Sequence, residues 1–135
     1  MNKVLSVKFW FWINILLHGI FGGIVNSLWS ADVAEDLWGA GNVQSHDEIY
    51  ERFIGYMVLA LVIILIGIVV ITKGRELNRL ALVVSGAFVF LFSGLAFYGS
   101  ANDYGEDGVT MWLAPIIPTL LLGASAIRAL RQSTE

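Results

Sequence analysis

A chain of 135 residues that is 57% hydrophobic and 14% charged, with a mean hydropathy of +0.74, is too apolar to be a soluble domain. A water-soluble domain that small must cover a large surface with polar side chains, whereas a helix bundle in lipid can leave apolar residues facing outward. The absence of cysteine excludes thiol catalysis, thiolate metal sites and disulfide exchange, and the net charge of −3 is modest in total but very unevenly spread.

In chain order, Lys3 and Lys8 precede a run from Phe9 to Trp29 in which His18 is the sole titratable side chain. At ~1.5 Å per residue such a run crosses the ~30 Å hydrocarbon core of a bilayer. It is longer than the ~7–15-residue apolar region of a signal peptide, so an uncleaved first span is expected. Phe9, Trp10, Phe11 and Trp12 suit one headgroup boundary, and Trp29 and Trp38 the other.

The segment that follows predicts a short amphipathic interfacial helix carrying Ala31, Val33, Ala34, Leu37 and Trp38, ended by Gly39 and Gly41. Ser45 and Glu48 have capping-box spacing, which predicts that the second helix starts outside the lipid and lifts Asp47, Glu48 and Glu51 above it. Three further spans are expected at about 53–72, 80–100 and 109–130, and no Asp, Glu, Lys, Arg or His occurs in them before Arg128. The fold class is therefore an all-α integral membrane protein, a single four-transmembrane-helix domain over residues 1–135.

Charge sets the orientation. Lys3, Lys8, Lys73, Arg75, Arg79, Arg128 and Arg131, seven of the eight basic residues, fall on one side of these spans. By the positive-inside rule that side is cytoplasmic, giving both termini inside and a multi-pass protein of the cytoplasmic membrane. The nine carboxylates of the two outer segments read as a solvated face. The loop Asn102–Gly108 resembles a calcium loop only superficially, since Ala114 stands where a bidentate glutamate would be needed, and no metal site is expected.

His18 lies roughly 15 Å beyond Lys8 and so near the midplane. With α-helical spacing, Asn14, His18, Gly22 and Asn26 share one face. Pro115 and Pro118 are expected to bend the fourth helix in its outer half, freeing carbonyls that Thr119 can satisfy. These seven residues outline a candidate ligand pocket, set against a plainer reading in which His18 and Asn14 hold the bundle in register. Haem would need a second histidine on a facing span, and none of the other spans has one, so no cofactor is expected. Gly19, Gly23 and Ser27 form a small-residue row for helix packing, and Gly86 and Gly94 on the third span form another that could receive it.

No span holds a carboxylate for proton-coupled antiport, and no Walker, HExxH or GxSxG motif or nucleophile–base set occurs, so no catalytic residue is assigned. The four spans, the basic connection Lys73–Arg79, the acidic outer segments and Arg52-Phe53-Ile54-Gly55 at the start of span two resemble the small DoxX-like four-helix membrane proteins. That resemblance implies an architecture and carries no functional residue. The expectation is a non-catalytic accessory or scaffolding membrane subunit, with a lipid, quinone or small-molecule binding or transport protein with a pocket at His18 as the alternative. Its partners are membrane lipids and a membrane protein or further copies of itself, with no nucleic acid.

Overall fold

The computed structural model describes residues 6–102 and 113–132, and these are almost entirely helical. Helix α1, Val7–Leu28, starts at Ser6, whose extended backbone and side-chain oxygen receive the Phe9 N–H at 3.2 Å. It is α-helical over Val7–Leu17, π-helical over His18–Val25 and α-helical again over Asn26–Leu28. Three glycines, Gly19, Gly22 and Gly23, fall in the π segment, where the lack of a Cβ leaves the backbone freer to depart from α-helical winding.

The chain turns at Trp29 into α2, Ser30–Trp38, which buries Ser30, Ala34 and Leu37 and exposes Asp32, Glu35 and Asp36. Gly39 ends it with φ +83, a conformation that other residues rarely adopt, while donating its N–H to Glu35 O at 2.9 Å. A helix forms where the alternation of apolar and acidic residues predicts one, and it packs against the start of α3.

Helix α3 is Asp47–Ile71 and α4 is Gly74–Ala101; the backbone is extended at Thr72 and Lys73, and Gly74, with φ +57, sets the reversal. Helix α5 is Ile116–Gln132. Among the described residues three helices, α1, α3 and α4, are long and apolar enough to cross a membrane, which makes this a small multi-span membrane protein. The beginning of the expected fourth span, residues 109–112, lies outside the described residues, as do Lys3 and the acidic residues Asp103, Glu106 and Asp107.

Helix α1 is central, packing along α3 on one side and α5 on the other, and α5 packs in turn along α4. The consecutive helices α3 and α4 barely touch. Phe11, Ile15, Leu65, Val69, Ala81, Phe88, Leu122 and Ala126 form the core, while Ile63, Ile71, Phe90 and Phe97 point away from it. Lipid tails are as apolar as leucine, so burial alone cannot hold such helices together; close steric fit and interhelical hydrogen bonds do so.

One local expectation is corrected. The Ser45–Glu48 capping box does not form, because α3 starts at Asp47 with His46 as its cap, one residue too late for that register. The Asp47 carboxylate instead accepts the Gln44 N–H at 2.7 Å, and Glu48 pairs with Arg52 at 2.6 Å. Around the prolines, Leu113 is helical, Ala114 and Pro115 form a turn and α5 starts at Ile116; Thr119 Oγ1 lies 3.0 Å from Pro115 O, and Pro118 stands in the first turn of α5, where a missing N–H removes no helical hydrogen bond.

Candidate functional site

The polar residues expected on one face of α1 are divided among three surroundings. Asn14 is fully buried where α1 meets α5, donating to Trp10 O at 2.8 Å and to Pro118 O at 3.0 Å. Its Oδ1 accepts from Thr119 Oγ1 at 2.8 Å, and the same hydroxyl lies 3.0 Å from Pro115 O. Ser85 of α4 closes the knot by donating to Thr119 O at 2.8 Å, in a contact that requires glycine at 123, since a Cβ there would stand 2.5 Å from Ser85 Oγ. Asn14, Pro115, Pro118 and Thr119 are thus brought together, and every hydrogen-bonding atom of the Asn14 side chain is satisfied.

His18 sits one turn on, against a different helix. Its ring stacks on Phe92 with centroids 5.2 Å apart and tilts against Phe88 at 4.6 Å, both on α4. It is buried, and its Nε2 has no hydrogen-bond partner.

Beyond His18 the π-helical winding carries the row around the helix, because more residues per turn rotate each later position away from the α-helical face. A Cβ on Gly22 would lie 3.3 Å from Val58 of α3, and Asn26 reaches Glu51 of α3 at 3.4 Å. The small-residue row also turns to α3 rather than to α4. Gly19 faces Val62, Gly23 faces Leu59, and Gly55 meets Ser27 so closely that a Cβ there would stand 2.6 Å from its backbone nitrogen. Gly86 and Gly94 have nothing within 4 Å of where a Cβ would be.

Glu51 is the residue that sequence reasoning misplaced. Expected in solvent, it is 2% exposed, and Asp47 is buried as well. Arg52 bonds Ser30 Oγ at 3.1 Å, tying the first turn of α2 to α3 beside these acids. The signal was the spacing: Asp47, Glu51 and Gly55 stand four apart on one α-helical face, and a glycine in such a row marks a close neighbour. Among the described residues no group of three or more His, Asp or Glu side chains could hold a metal ion.

The geometry offers interhelical clamps at Asn14–Thr119–Ser85 and at Ser27–Gly55, and one unmatched nitrogen on His18. No nucleophile is set beside a base in these clusters. Compared with known proteins, the chain matches no family model, no curated protein and no solved structure, so the DoxX-like resemblance rests on architecture alone and the protein stands as a small multi-span membrane protein.

Proposed function

We propose that this protein is a non-catalytic accessory or scaffolding subunit of the cytoplasmic membrane, crossing it four times with both termini inside, and that it binds a transmembrane helix of another membrane protein along α4. The observation that carries the reading is the outward face of α4. Val83, Ala87, Phe90, Gly94, Phe97 and Ala101 are all exposed and recur in alternating steps of four and three, the spacing of a helix–helix seam. Phe90 and Phe97 are 83% and 80% exposed, with Gly94 between them and Gly86 beside the row. Large knobs around empty glycine positions suit a second helix, which can lie in the hydrocarbon layer because its backbone polar groups are satisfied internally.

The orientation is supported by the ends of the helices. The starts of α1 and α4 and the end of α5 converge, bringing Lys8 and Arg128 to one side of the molecule. With α5 as the fourth span, α2 lies at the opposite, outer boundary, where its acidic face meets water and headgroups.

The second reading, a lipid, quinone or small-molecule binding protein, is favoured by the unpartnered Nε2 of His18. Phe88 and Phe92 already lie against that ring, which weighs towards a packed, structural histidine. Native mass spectrometry of the protein extracted gently from its own membrane separates the two. Co-migration with another membrane protein is the expected result; a monomer carrying a defined small molecule that His18→Leu removes would establish the second reading instead.

A further inference from the structure

The starts of α1 and α4 and the end of α5 leave a cleft of about 210 Å³, lined by Ser6, Lys8, Gly74, Asn78, Arg128 and Gln132 together with the apolar Val7, Leu77 and Ala129. Two features give it a sign. Arg52 and Arg79 are matched by Glu48 and Glu76, yet among the described residues neither Lys8 nor Arg128 is in an ion pair. The first turns of both α1 and α4 open here, and α4 has no side-chain cap, so backbone N–H groups add positive potential.

We propose that this cleft seats the phosphodiester of an anionic phospholipid. Lys8 and Arg128 face its charge, and Asn78 and Gln132 supply neutral donors. The volume decides the class of ligand: pockets that enclose whole drug-sized molecules run from roughly 300 Å³ upward, so this one suits a headgroup phosphate whose acyl chains stay outside against the helices. Its level also favours lipid over a free anion. The cleft lies at the start of α1, and Trp10 and Trp12, side chains that suit a headgroup boundary, follow within the next turn of the same helix. The orientation proposed above decides which leaflet supplies the lipid; the site itself does not depend on it.

The test uses the full-length protein in detergent, where membrane orientation plays no part, titrated with phosphatidylglycerol, phosphatidylcholine or inorganic phosphate, with bound mass read by native mass spectrometry. Wild type is expected to retain phosphatidylglycerol in preference to phosphatidylcholine, and K8Q/R128Q to bind it about tenfold more weakly or worse. The comparison variant K73Q/R75Q removes as much charge from the same side but no cleft residue, and should bind as wild type does. Equal loss in both variants, equal retention of phosphatidylcholine, or saturation by inorganic phosphate at the same concentration would overturn the assignment. Should K8Q/R128Q fail to fold, a photo-reactive phosphatidylglycerol analogue on the wild-type protein decides. Cross-links near Lys8 and Arg128 support the site, and cross-links spread along α3 and α4 refute it.

Discussion

Two small-residue faces in this protein have opposite fates. On α1, Gly19, Gly23 and Ser27 are closed against Val62, Leu59 and Gly55 of α3, and the backbones approach until Gly55 has no room for a methyl group. On α4, Gly86 and Gly94 carry the same kind of signature and meet nothing. The contrast teaches that a small-xxx-small pattern announces close approach without saying whether the neighbour belongs to the same chain. On α1 it builds the fold; on α4 it meets nothing within the described residues, and the proposed function assigns it to a partner.

Substitutions should separate the two faces, with the closed one the more sensitive. Gly55→Ala places a Cβ 2.6 Å from Ser27 N and 2.9 Å from Asn26 C, and backbone cannot step aside as a side-chain tip can. We expect a loss of about 3 kcal/mol in reversible unfolding from bicelles, at the upper end of ordinary overpacking. Asn14→Leu strips donors from Trp10 O and Pro118 O and the acceptor from Thr119, and should cost about 1–2 kcal/mol by the same measurement.

His18→Leu should change stability by less than about 1 kcal/mol and can even raise it, because it replaces a buried nitrogen that has no partner with an apolar group of similar bulk. A loss well beyond that would mean that the ring makes a bond essential to the fold. On the open face, Gly94→Leu should leave unfolding within about 0.5 kcal/mol of wild type, since nothing lies near the new side chain, yet displace any partner helix.

Helices α1, α3 and α4 were legible because apolar runs bounded by charge need no knowledge of neighbours, and α2 because Gly39 stops an amphipathic turn. The candidate site was legible only in pieces. Asn14 and Thr119 were both singled out, but their mutual hydrogen bond joins residues 105 apart and has no local signature. The row from His18 to Asn26 was read with α-helical spacing, and the π winding that splits it depends on how three glycines settle against α3. Glu51 was misplaced because a carboxylate at a span's end is ordinarily solvated, and only tertiary packing beneath Asn26 and α2 buries it.

The most direct test of the open face is site-specific photo-cross-linking in the native membrane, with a photo-reactive phenylalanine analogue placed at position 90 on α4 or at position 21 on α1. Phe21 also points away from the bundle, at 64% exposure, but Leu17, His18, Ile24 and Val25 stand three and four positions from it, so it belongs to no small-residue row and serves as the lipid-facing reference. A docking face on α4 predicts a discrete protein adduct from position 90, lost with Gly94→Leu, and lipid adducts alone from position 21. Lipid adducts alone from both positions would contradict the scaffold reading.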